Sequence, residues 1–259
     1  MIEVGVGSAN LLVGMVYVAV GTMTIIEMIR RGGRKGFSHF GFAWIAMLFT
    51  CGPHHWVHGM HSLFEGRHAG WLDLIAVLVA LPAGLLWFAL RLEAFNGGRG
   101  DRFVAGNPVW IGIIPTVFGI YVTALGAGAI ALLHHPDISQ LPLVIPNIML
   151  VLLYGSVAYL MARTQVANRR PLGGWSVSGL ALSIAFATCA VMHAVYVVSA
   201  VGGVYGPDVH GMGIDWISVP AAMYFLWVVY GLNRGTYHDW NGAPARLATR
   251  ERVPVPTSA

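Results

Sequence analysis

The sequence predicts an all-α integral membrane protein of seven transmembrane helices, with its N-terminus outside and its C-terminus inside. Three observations predict this. Hydrophobic residues make up 56% of the chain and charged residues only 10%, against about 25% charged in soluble domains. Apolar runs long enough to cross a bilayer as helices recur seven times, at roughly 8–29, 39–61, 71–92, 108–133, 142–163, 174–200 and 213–232. Arginines and lysines gather after every second run.

The first run, Ser8 to Ile29, is followed by Arg30, Arg31, Arg34 and Lys35. The opening Met-Ile-Glu has no basic n-region, so the run reads as a span and not as a cleaved leader. Glu27 reads as an interface charge beside Arg30 and Arg31. The second run climbs to the opposite face and ends in Cys51-Gly-Pro-His54-His55-Trp-Val-His58-Gly-Met60-His61. Pro53 should kink it, because proline cannot donate to the carbonyl one turn earlier. The third run holds Asp73 in its first turns and Pro82 midway, with Arg91, Arg99 and Arg102 marking its end. The connection 93–107, rich in glycine and charge, is the longest. The fourth run has Pro108 and Pro115 near its start and stops at His134-His135-Pro136-Asp137. The fifth returns to Arg163, Arg169 and Arg170, the sixth goes outward, and the seventh returns to Arg234, Arg246, Arg250 and Arg252. The other side carries only Arg67.

That asymmetry is a positive-inside distribution, which sets the orientation and predicts a multi-pass protein of the cytoplasmic (inner) membrane. It also accounts for the net charge of +4 without nucleic acid; membrane lipid is the predicted partner. Residues 1–232 form the transmembrane domain. The tail 233–259, rich in proline and arginine and without apolar periodicity, is predicted to be cytosolic and disordered.

The chain also resembles itself. Thr50-Cys51-x-x-x-His55 in the second run matches Thr188-Cys189-x-x-x-His193 in the sixth. His68 precedes Asp73-x-Ile75 as His210 precedes Asp215-x-Ile217. The matches predict a 3+1+3 parallel repeat, with halves of about 8–92 and 142–232 and a linker helix at 108–133. An odd linker keeps both halves in the same orientation, related by an axis along the membrane normal.

Topology gathers the chemistry. Nine of the eleven histidines fall at the outer level: His54, His55, His58, His61, His68, His134, His135, His193 and His210. His39 and His238 lie on the inner side. Cys51, Cys189, Asp73, Asp215 and Asp137 share the outer level. Ionisable groups within membrane segments mark function by default. At about 100° per residue, Cys51, His54, His55 and His58 occupy roughly a third of the helix circumference, with His61 at its edge. Under the repeat, His55/His68/Asp73 and His193/His210/Asp215 are equivalent ligand sets. Imidazole binds zinc, copper and iron, while thiolate and thioether favour copper(I). Met60, Met192 and Met212 bring sulfur close to His61, His193 and His210, which tilts the metal to copper, with zinc or iron as alternatives. Bis-histidine haem b on His55 and His193, or on His54 or His58 in place of His55, is a further reading. His61, His134 and His135 individually read as interface residues first. Trp44, Trp71, Trp110, Trp175 and Trp216 read as a membrane-interface belt, and Gly126-x-Gly128 as a close helix contact. There is no phosphate loop, no nucleophile elbow and no lysine in the seventh run for a retinal Schiff base.

Met192-His193-Ala-Val-Tyr and His55-Trp-Val-His-Gly-Met60 resemble the repeated Met-His signature of MHYT-type bacterial membrane sensor domains. That resemblance covers helices 2 and 6. It implies a repeated multi-helical fold with copper near the outer face, sensing diatomic gases and passing the signal to a separate partner. The sequence departs from the signature: His54 stands where the first motif has methionine, one residue is inserted, and the second motif lacks Gly-Met. Cys51-x-x-x-His55 with Asp73 is also similar in kind to seven-helix metal hydrolases such as the alkaline ceramidases, although helix 7 has no His-x-x-x-His.

The expected function is therefore to hold a transition metal, copper first, in the outer half of the membrane for metal handling, redox or gas sensing. A membrane metal-dependent hydrolase or oxidase, or a haem-b redox subunit of a respiratory complex with other membrane subunits, is the alternative. A transporter is disfavoured, because the inner halves of helices 2, 3, 6 and 7 are nearly free of polar groups.

Overall fold

Seven helices carry the chain: α1 Ile2–Lys35, α2 His39–Phe64, α3 Trp71–Phe95, α4 Val109–Leu132, α5 Leu141–Asn168, α6 Val177–Val201 and α7 Val209–Arg234. The structure is a computed structural model. It describes residues 1–66, 69–205, 209–236 and 239, without the side chains at 33, 34, 143 and 209–212. His68, His238 and tail residues 240–259 lie outside the described residues, as do the side chains of His210 and Met212. Among the described residues six helices contain spans long and apolar enough to cross a membrane, so the chain is a multi-pass membrane protein. α2 is not among them, because His54 and His55 interrupt its most apolar stretch.

Short polar contacts set the helix ends. Ser38 Oγ accepts from Gly41 N at 2.8 Å to start α2, and Ser176 Oγ accepts from Gly179 N at 2.9 Å to start α6. Each satisfies an amide that the first turn leaves without an intrahelical partner. At the same arginine-rich end, β1 (Phe103–Val104) pairs antiparallel with β2 (Trp175–Ser176). Asp101 accepts from Ser176 Oγ at 2.6 Å and from Ser178 N at 2.9 Å. These bonds tie the α3–α4 connection to the start of α6.

α1 packs on α2 and α3, and α5 packs on α6 and α7. The two groups join where α2 meets α7 and α3 meets α6. α4 stands at the margin against α6 and α3 and buries only Tyr121 and Leu125. Apolar on nearly every side, it suits a helix bathed in lipid. Gly126 accordingly meets nothing within 4 Å, and only Gly128 packs closely, against Leu72. The close contact expected of Gly126 is not made, because α4 has no second helix on that face.

The close helix contact lies instead between α1 and α2. A Cβ on Gly14 would sit 2.8 Å from the Gly52 carbonyl oxygen, and one on Gly59 would sit 2.9 Å from the Gly7 oxygen. Glycines let the backbones approach to a distance that any side chain would prevent. Asn10 lies between Gly7 and Gly14, and His55 between Gly52 and Gly59. The same approach therefore sets Asn10 against His55.

The largest core cluster sets Phe40, Trp44, Trp87, Tyr154, Phe186 and Phe225 among aliphatic side chains. Trp44 is 5% exposed, with Phe225 and Trp87 at centroid distances of 5.1 and 5.2 Å. The belt reading of Trp44 is overturned: α2 packs between α1 and α7, and Trp44 points inward to meet Phe225, Phe186 and Trp87. Trp175 is also buried, donating Nε1–H to the Gly106 carbonyl at 3.1 Å under the Arg169 guanidinium. Trp71, Trp110 and Trp216 are exposed, as a belt requires.

Candidate metal centre

At the opposite end from the arginines, α1, α2, α5, α6 and α7 turn polar side chains toward one another. Asp215 of α7 is wholly buried. Its Oδ1 lies 2.7 Å from His54 Nδ1 of α2, and its Oδ2 accepts from Asn147 Nδ2 of α5 at 2.5 Å. The second bond fixes the Asn147 amide, so Asn147 Oδ1, 2.6 Å from His193 Nδ1, must be the acceptor there. A neutral His193 then carries its proton on Nδ1 and its lone pair on Nε2. One asparagine thus orients both a carboxylate and an imidazole.

His55 is held the same way. Asn10 Nδ2 donates to the Val6 carbonyl at 2.9 Å, which fixes its amide and turns Oδ1 to His55 Nδ1 at 2.7 Å. His55 also presents Nε2 as its lone-pair nitrogen when neutral. An imidazole held through one nitrogen, with the other bare, is the arrangement that orients a metal ligand.

Ligand atoms of His54, His193 and Asp215 lie within 4.8 Å of one another. His54 and His193 line a cavity of about 30 Å³ together with His55, His58, Asp73, Met192, Cys51 and Cys189, with Asp215 behind His54. A space of that size holds one ion or one or two water-sized molecules. His54 stands between the other rings, 5.8 Å from His55, 5.3 Å from His193 and 6.5 Å from His58, measured between centroids.

Below this level each cysteine meets a tyrosine. Cys51 Sγ lies 2.7 Å from the Tyr154 hydroxyl, and Cys189 Sγ lies 2.9 Å from the Tyr17 hydroxyl. Both cysteines are free thiols. Asp73 is set apart from the His54 group: it accepts from Gly70 N at 2.9 Å and from the Tyr205 hydroxyl of the α6–α7 connection. Burial, then the charge of Asp73, pushes the Tyr205 phenol well above its ordinary pKa, so it remains a donor.

The remaining candidates do not join the group. His61 lies 3.8 Å from Glu65, Met60 is exposed, and His134 and His135 are exposed at the end of α4, facing each other. His68, His210 and Met212 lie outside the described residues or side chains. Asn10, Asn147, Tyr17, Tyr154 and Tyr205 were not among the sequence candidates. A signal for four of them was present: Asn10-x₆-Tyr17 and Asn147-x₆-Tyr154 share one spacing in two apolar runs. Comparison with protein-family models, with curated proteins and with solved structures finds no match to this chain.

Proposed function

We propose that this chain holds one redox-active transition-metal ion between α2, α6 and α7, with His54, His193 and Asp215 as ligands, and uses it for metal handling, redox or the sensing of a diatomic gas. The observation that carries the reading is the Asn147 clamp, which holds His193 at the wall of a space the size of an ion and Asp215 against His54 of the same wall. Two imidazoles and one carboxylate with room left over suit non-haem iron(II) or zinc. The sequence favoured copper, and Met192 on the cavity wall is the soft donor that keeps copper in play. Zinc fits the donors but has no redox chemistry. The small cavity speaks against haem b, since about 30 Å³ admits no macrocycle. It equally leaves no room for the acyl substrate of a lipid hydrolase.

The reading includes seven crossings, with α2 as the seventh, oriented with the histidines outside and the arginines in the cytoplasm. It includes the parallel repeat, supported by matched pairs. Asn10–His55 and Asn147–His193 each lie within one half, whereas Tyr17–Cys189 and Tyr154–Cys51 each join the halves. It places the protein in the cytoplasmic membrane, where a separate signalling or redox subunit reads the site.

Elemental analysis of detergent-purified protein tests this. About one equivalent of iron or copper is expected, lost in His193→Ala and in Asp215→Asn, with the helical circular dichroism retained. Full metal content in both variants would refute the site. Zinc alone would refute the redox reading while leaving the ligands standing.

A further inference from the structure

A larger cavity lies at the arginine-rich end among α1, α2, α3, α5 and α6, with a volume of about 260 Å³. Its floor is aromatic. The rings of Trp44 and Trp87 stand nearly perpendicular at 5.2 Å, and Phe40 stacks on Trp44 at 6.3 Å. Its rim is polar, with Arg91, Gln165 and Asn168. Glu27 holds the Arg91 guanidinium at 3.1 Å, and Asp101 faces the same space. The rim therefore offers hydrogen-bond donors without surplus positive charge. An anionic ligand would enter with its charge uncompensated, which is costly in a buried site. A neutral ligand with a flat apolar body and a few carbonyl acceptors matches both floor and rim. Gly179 shapes this space: a Cβ there would run into the Gln165 amide, so only glycine lets Gln165 lie against α6.

From this floor a row of rings leads to the metal centre. Trp44 lies 5.8 Å from Phe186, Phe186 lies 5.9 Å from Tyr154, and Tyr154 lies 5.4 Å from His193, between centroids. Such short gaps favour single-electron tunnelling, with tryptophan and tyrosine as the oxidisable members and phenylalanine as a bridge. A redox-active ligand is the neutral class that gives this row a use.

We infer that the cavity at the arginine-rich end binds the head group of a quinone or quinol. The ring meets the edges of Trp44 and Trp87 that reach the cavity, with its carbonyl oxygens toward Arg91 and Gln165. That the ligand is neutral and flat rests on the cavity; that it is a quinone rests on the row of rings and so on the metal reading above.

The test uses full-length, metal-free protein in phosphatidylcholine nanodiscs, titrated with decylubiquinone while tryptophan emission is followed. Saturable quenching is expected, weakened about tenfold in Gly179→Leu, where the new side chain pushes Gln165 into the cavity, and in Trp87→Leu, which loses an aromatic contact. Gly179→Ala, one methyl group in the same place, should weaken it in the same direction and serves if the larger changes fail to fold. The same ring without its tail is titrated alongside. Equal binding identifies a water-borne quinone and tail-dependent binding a lipid-borne one; either supports the site. Linear quenching in the wild type, or saturable quenching undiminished in all three variants, would overturn the inference. Metal uptake measured on the same preparations separates this result from the metal reading, since either can fail while the other stands.

Discussion

Tyr17 of α1 and Cys189 of α6 stand 172 residues apart in the chain, yet the phenol oxygen lies 2.9 Å from the sulfur. Cys51 of α2 and Tyr154 of α5 make the reciprocal contact at 2.7 Å. Both contacts join the first three helices to the last three, at the cavity that Cys51, Tyr154 and Cys189 line. They are its polar floor, and they tie the two sets of helices together.

The coupling between these partners is measurable. In lipid an interhelical hydrogen bond contributes about 0.6 kcal/mol on average and up to about 1.7. Tyr17→Phe and Cys189→Ala should each lower the unfolding free energy in mild detergent. A double-mutant cycle should return a coupling of that order. Strict additivity of the two changes would show that the contact carries no energy.

Asn147 touches two of the three candidate ligands and Asn10 touches none of them. Asn147→Leu removes the acceptor for His193 Nδ1–H and the donor to Asp215 together. Metal affinity should fall about 10–100-fold, the usual effect of losing a group that orients a ligand. Asn10→Leu should fall well short of that. Competition against a calibrated chelator gives both values. Equal losses in the two variants would mean that His55, and not His54, completes the site.

Much of this arrangement was legible beforehand, and the reasons are physical. Each of the seven predicted runs lies within a helix or within about three residues of one, with ends off by up to six residues, and six of the helices are apolar enough to span, because a bilayer demands long apolar segments. The Thr-Cys-x-x-x-His pair was legible because two sets of rare side chains share one spacing. Asn10 and Asn147 were not, since an isolated asparagine in an apolar run does not reveal which neighbour it meets. His54 was placed behind His55 because the repeat contains no partner for it. Its role comes from α7, whose Asp215 belongs to the other half and meets it where α2 packs on α7. Trp44 was misread because hydropathy locates a helix end without telling whether that end faces lipid or another helix.

The glycine contacts of α1 and α2 predict opposite outcomes for two similar substitutions. Gly59→Leu places a side chain against the Gly7 carbonyl, which cannot move without separating the helices. Overpacking of this kind costs about 1–3 kcal/mol, and the Asn10–His55 contact should break with it. Gly126→Leu on α4 meets open space and should leave thermal stability in detergent unchanged. If the two variants melt together, the backbone approach between α1 and α2 is not what holds them.

Tyr205 closes the α6–α7 connection over Asp73, and its ring stands 5.3 Å from Tyr196 and 6.1 Å from His58 at the margin of the cavity. Its phenol pKa is raised in the fold, so the neutral donor is favoured over the phenolate there. The stabilisation is therefore fully present below the unfolded-state pKa of about 10 and is lost as pH rises through the higher folded value. Tyr205→Phe deletes the donor at every pH and leaves a buried carboxylate short of one partner. Release of bound metal to an external chelator should be faster in Tyr205→Phe at neutral pH, by about tenfold if one charge-assisted hydrogen bond of about 1.5 kcal/mol is lost. Wild-type release should rise toward the variant's rate only in strongly alkaline buffer. Identical rates at neutral pH would mean that the cavity exchanges its contents by a route that does not pass Tyr205.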